Sequence, residues 1–105
     1  MIELTPKAER ALDDLREYYE QLERLEALQN LERALAEARD RIEQNPAAGL
    51  AAPRPYPYMA RPGMAWLKAG RYWISYVTTK PTVITGIFYD AADIPNRIRD
   101  ADRGQ

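Results

Sequence analysis

Apolar positions in the first 45 residues recur at spacings of three and four, whereas those of residues 64–89 tend to alternate, so the chain changes period once. Ala8, Ala11, Leu12, Leu15, Tyr19 and Leu22 fall on one stripe, and Glu9, Asp13, Arg16, Glu17, Glu20 and Glu23 face the other way. This is the pattern of an amphipathic helix that buries one side. Thr5-Pro6 supplies its start: the hydroxyl accepts an orphan backbone N–H, and proline at the first helical position gives up a donor that has no use there. A second stripe runs through Leu28, Leu31, Leu35, Ala38 and Ile42, and neither Gly nor Pro occurs between Lys7 and Asn45. Local chemistry therefore permits one continuous helix of roughly 60 Å, at about 1.5 Å per residue. A compact chain of this size has a radius of gyration of about 13 Å, which favours a hairpin with helices over residues 5–27 and 30–45. Asn30 is the expected N-cap of the second helix. The alternative is one long helix paired in a coiled coil with another chain.

Asn45-Pro46 closes the helical region, and residues 45–63 hold five of the eight prolines and two of the five glycines, so no regular structure is expected there. Residues 64–68, 71–78 and 83–89 have strand character, joined by Ala69-Gly70 and by Thr79-Lys80-Pro81-Thr82. Connections this short make the strands antiparallel. Ile2-Glu3-Leu4 alternates and fits a short edge strand. The expected fold class is α+β: an N-terminal strand, then a helical hairpin packed on a curved antiparallel sheet of three further strands. Leu12, Leu15, Leu22, Leu35, Ile42, Ile74 and Ile87 are the expected core. Beyond Asp90 the chain is polar, with Ile94-Pro95 as an anchor and residues 99–105 expected to fray.

Composition narrows the chemistry. The chain has 105 residues, 46% of them hydrophobic and 30% charged, with a mean hydropathy of -0.58, which describes one soluble folded domain. It contains no Cys and no His, which removes disulfides, thiol nucleophiles, zinc fingers and histidine acid–base pairs. No apolar run approaches the length of a membrane span and MIELTPKAER has no signal-peptide core, so a cytoplasmic protein is expected. The net charge of -1 conceals an asymmetry: residues 1–45 carry 7 Lys/Arg against 12 Asp/Glu, and residues 46–105 carry 8 against 4. A basic second half suits an anionic or acidic partner, although helices rich in Glu and loops poor in it give the same arithmetic.

The segments ELTPKAERALDDLREYY, NPAAG, GRYWISY and GIFYDAADIPNRI, in that order over residues 2–98, resemble the RelE/ParE family of toxins of bacterial type II toxin–antitoxin systems, the ParE type more than the RelE type. The resemblance implies a small cytoplasmic protein that arrests growth, contributes to plasmid stabilisation and is neutralised by a cognate antitoxin. Relatives of the ParE type poison DNA gyrase, and those of the RelE type cut messenger RNA on the ribosome. Trp73 stands where many relatives carry Arg, three residues before the tyrosine matched by Tyr76. Where many relatives have His followed by Arg-Asp, this chain reads Phe88-Tyr89-Asp90-Ala91-Ala92-Asp93.

Cleavage of RNA requires a proton acceptor for the 2′-hydroxyl, a donor for the leaving oxygen and cations around the phosphate. The RelE type manages without histidine, with Lys, Arg and Tyr, so if the protein is a nuclease the resemblance implies Lys68, Arg71, Tyr72 and Tyr89, which flank the hairpin or end the last strand; each also has a plain structural reading. A pI of 5.5 does not suit attachment to phosphate. Binding to a target such as gyrase is the favoured reading, with Arg61, Trp66, Arg71 and Trp73 as target anchors and Arg54, Tyr58, Lys68 and Tyr89 as antitoxin contacts. Both tryptophans could instead fill the core between helices and sheet. Ribosome-dependent cleavage is the alternative, and a helical interaction module without catalysis is a third. Asp90 and Asp93 are too sparse for a metal site. Nothing in the sequence implies a cofactor, sequence-specific DNA binding or a membrane.

Overall fold

The computed structural model describes residues 2–54, 56–90, 94, 95 and 98. Strand β1 (Glu3–Leu4) leads into helix α1 (Pro6–Gln21) and then α2 (Leu25–Gln44), followed by strands β2 (Met64–Ala69), β3 (Tyr72–Val77) and β4 (Val83–Tyr89). The sheet order is β1-β4-β3-β2. The last three strands are antiparallel, and β1 lies parallel to β4 at one edge. The α+β class, the helical hairpin and the short edge strand agree with the sequence reading, and a longest dimension of 38 Å leaves no room for a continuous helix over residues 6–44.

Thr5 caps α1 as its chemistry dictates, its hydroxyl accepting the Ala8 N–H at 3.2 Å. The break between helices lies elsewhere than expected. Helix α1 ends at Gln21, and Glu23 sits in the left-handed region at φ 55°. The Arg24 N–H bonds the Tyr19 carbonyl and the Glu23 N–H bonds the Glu20 carbonyl, the two bonds of a Schellman stop. Glycine usually fills that position; Glu does so here, which is why the sequence carries no visible mark. Asn30 is therefore inside α2, where its side chain accepts from Arg33, and caps nothing. Leu22, placed by its stripe in the core, is one residue past the helix and half exposed. A left-handed non-glycine residue costs about 1–2 kcal/mol, partly offset by the backbone entropy that glycine would lose. Glu23→Gly should accordingly raise unfolding stability by about 0.5–1 kcal/mol in urea denaturation.

The main core lies between the hairpin and one sheet face. Ala8, Leu12 and Tyr19 of α1 and Leu31, Ala34, Leu35, Ala38 and Ile42 of α2 meet Leu67, Ile74, Tyr76, Ile84 and Ile87. Leu15 is only partly buried. Ile84 and Ile87 are three apart yet share this face, because the register shifts so that Ser75 pairs with Gly86 and Tyr76 with Ile84; the extra Thr85 is a bulge. Across the hairpin Arg16 grips Glu32 with Nε–Oε1 at 2.6 Å and Nη2–Oε2 at 2.9 Å. That fork holds the Glu32 carboxyl below its usual range, mainly through the hydrogen bond itself.

The opposite sheet face is covered as well. Trp66 and Trp73 are buried there with Ile94, and Tyr56, Met59, Phe88 and Ile98 pack around them. Neither expected location for the tryptophans is observed: they are not surface anchors and they do not fill the helix–sheet core. The proline-rich segment makes this possible. It is not wholly irregular, since it contains two short 3-10 turns, Pro46–Ala48 and Pro57–Met59, and Leu50 pairs with Trp66 through two backbone bonds of 2.7 Å. Ile94 anchors the tail as expected. The expected fraying of residues 99–105 lies outside the described residues. No helix among the described residues is long and apolar enough to cross a membrane.

Candidate functional site

A groove of about 490 Å³ opens beside β2, lined by Arg41, Arg54, Lys68, Asp90 and the two tryptophans among others. Its position follows from the edge of the sheet. An edge strand offers unpaired carbonyls and amides, and here Leu50 takes both groups of Trp66 while the Arg41 guanidinium donates to the Lys68 carbonyl at 2.7 Å. The last turn of α2 is thereby tied to β2, and the segment after Pro46 is brought back along it. Gly49 is required at this crossing, because a Cβ there would collide with the Tyr76 hydroxyl and stand 2.9 Å from the Ala65 Cβ. The Tyr76 hydroxyl itself donates to the Pro46 carbonyl at 2.8 Å, and burial pushes its pKa up.

Lys68 points out of the sheet on the tryptophan side. Its ammonium lies 3.2 Å from an Asp90 carboxylate oxygen and 6.0 Å from the centre of the Trp73 ring system. Arg41 has Glu37 one helical turn back at 3.8 Å, while Arg54 has no ionic partner among the described residues. Three cations and two nearby carboxylates leave the groove net positive and walled by indole. Such a surface fits a carboxylate-bearing segment or a single phosphate better than a run of phosphates.

The other expected site residues are dispersed. Tyr72 faces the helices, with its hydroxyl 2.6 Å from that of Tyr19, and Tyr89 stands edge-on to it with ring centres 5.9 Å apart. Lys68 and Tyr72 therefore sit on opposite faces of the sheet and cannot attend one phosphate. Arg71 is in the β2–β3 turn; its carbonyl accepts the Asp90 N–H and its side chain is exposed. Arg61 is exposed and folds back on its own loop, donating to the Ala60 carbonyl at 2.9 Å. Tyr58 is exposed on the same loop, edge-on to Tyr56. Trp66 and Trp73 contribute walls and not protruding anchors. Arg54 and Lys68, expected as partner contacts, do line one groove, and Arg41 joins them although nothing in the sequence marked it. Asp93 lies outside the described residues.

No group of three or more metal-ligating side chains occurs among the described residues. No family profile matches the chain, and no curated protein matches it as a relative.

Proposed function

We propose that the protein is a growth-arresting toxin of the RelE/ParE type, that its α+β arrangement is that of this toxin fold, and that it acts by gripping a protein target such as DNA gyrase. A cognate antitoxin then neutralises it by laying an acidic segment into the groove of Arg41, Arg54 and Lys68. The observation that carries the choice of binding over cleavage is the closed outer face of the sheet. By the resemblance, Trp73 stands where many toxins of this family have Arg, and it is buried in one cluster with Trp66 and Ile94, against Phe88. A nuclease needs, beside the cations that hold the phosphate, a proton acceptor for the 2′-hydroxyl and a donor for the leaving oxygen. Here the Lys68 ammonium is held by Asp90, and Tyr72 is turned to the far side. A chain without histidine has no neutral-pH imidazole to replace them.

Induced expression in a bacterial host should arrest growth with a DNA-damage response. Purified protein added to gyrase and supercoiled DNA should inhibit supercoiling or trap cleaved DNA, and Arg54→Glu should weaken rescue by the antitoxin more than it weakens arrest. Codon-dependent cuts in message on programmed ribosomes, abolished by Lys68→Ala, would replace this reading with the nuclease one. Growth unaffected by well-folded protein would remove both.

A further inference from the structure

Three large apolar side chains crowd the tip of the helical hairpin. Tyr18, Leu22 and Leu25 are 56%, 50% and 66% exposed, within eight residues of sequence. Single exposed apolar residues are ordinary, but several gathered at one turn of the fold make an apolar patch of the kind that partners cover. Tyr18 and Leu22 are one helical turn apart and so adjacent on the same side of α1. Leu22 continues the stripe that buries Leu12 and Tyr19, but the Schellman stop at Glu23 turns the chain before Leu22 can reach the core. Leu25 opens α2 just across that turn.

The rim of this patch is acidic. Glu17, Glu23 and Glu26 adjoin it in sequence against one cation, Arg24, whose guanidinium lies over the Tyr19 ring at 5.7 Å. Glu17 accepts from Gln21, whereas Glu23 and Glu26 have no ionic partner among the described residues. Apolar centre and unpaired acidic rim together specify the complement: a helix with an apolar stripe flanked by Lys or Arg. A second hairpin tip would oppose carboxylate to carboxylate, and an anionic lipid surface would be repelled. We propose that the hairpin tip is a docking site for a basic amphipathic helix of a partner protein, separate from the basic groove and of opposite preference. The patch requires nothing of the toxin reading.

A fluorescent 20-residue peptide of leucines and lysines in helical repeat, and its leucine–glutamate counterpart, serve as probes for the full chain in anisotropy titrations. The cationic peptide should bind at the tip, and any binding of the acidic one should be lost on Arg54→Glu, in the basic groove, and be indifferent to changes at the tip. Tyr18→Ser, Leu22→Ser and Leu25→Ser combined should weaken cationic-peptide binding at least tenfold, and Glu23→Gln and Glu26→Gln combined should weaken it and flatten its salt dependence. Arg54→Ala, in the groove, should leave it unchanged. Should the apolar triple variant fail to fold, Leu25→Ser alone, at the most exposed of the three positions, should still weaken binding threefold or more. Acidic-peptide binding that the tip variants weaken, undiminished binding of the cationic peptide by the apolar variants, or a self-associated form of the chain that those variants dissolve would each overturn the proposal.

Discussion

Trp73→Ala is expected to destabilise the protein by about 3–5 kcal/mol, the range for removing a buried tryptophan from a core. The indole is 5% exposed and on the sheet face turned away from the helices, where an anchor waiting for a partner would be solvent-accessible and its truncation nearly neutral for folding. Small domains have only about 5–15 kcal/mol of net stability, so the variant should unfold at far lower denaturant. Trp66→Ala should behave similarly. Both residues belong to one cluster with Ile94, so the double variant should lose less than the sum of the two single losses. Guanidinium unfolding followed by far-ultraviolet circular dichroism measures this directly. A loss under about 1 kcal/mol at Trp73 would mean that the second core is not consolidated in solution, and the surface-anchor role for the tryptophans would return.

That second core was the least legible part of the fold. Alternation along β3 showed that Tyr72, Ile74 and Tyr76 share one face and Trp73 and Ser75 the other, but not which face meets the helices. A four-stranded sheet with one helical hairpin needs an outside partner for its second face only if the loop between Asn45 and Gly63 is unstructured. Tyr56 and Met59 packed on the tryptophans, the Leu50–Trp66 bridge and Ile94 show that the chain covers this face with its own irregular segments. Such cover has no period to read. Helix α1, by contrast, was legible from Thr5 onward because a cap and a stripe are local. Its end was not, because the left-handed stop falls on Glu23 and depends on backbone geometry that glutamate does not advertise.

The groove divides the same way. Lys68 and Arg54 were visible as charges on either side of aromatic residues, yet their convergence depends on Leu50 pairing with the edge of β2. Arg41 was invisible as a site residue because its partner, the Lys68 carbonyl, is 27 positions away. Asp90 was weighed only as an isolated acid, and it becomes part of the site by ending β4 beside Lys68. The sequence groups Tyr72 with Lys68 only as residues flanking one hairpin, and Tyr89 only as the end of the last strand. Strand alternation around Tyr72 was sufficient to place it on the opposite face from Trp73, and the register pairs Lys68 with Trp73, so the separation of Lys68 from Tyr72 follows once pairing is known.

The Tyr19–Tyr72 contact should give a second large and distinctive effect. Both rings are buried, at 6% and 3% exposure, and their hydroxyls are 2.6 Å apart. Removing one hydroxyl strands the other, which costs about 1–3 kcal/mol, while removing both leaves two apolar rings of matching shape. Tyr72→Phe and Tyr19→Phe should each destabilise by that amount, and the double variant should cost less than their sum. The pH dependence gives an independent readout. Burial, then the hydrogen bond to Tyr19, holds the Tyr72 phenol well above the usual tyrosine range. Below about pH 10 the phenol is protonated in both folded and unfolded chains, and this group adds no slope. Above that, the unfolded chain releases the proton while the folded one keeps it, so stability falls as pH rises, by up to about 1.4 kcal/mol per pH unit for each such tyrosine. Tyr72→Phe should therefore be less stable than the parent at pH 7 yet lose stability less steeply between about pH 10 and 11. Parallel stability curves over that interval would mean that Tyr72 ionises as freely in the folded protein as in the unfolded chain, and that the hydroxyl pair is open to water.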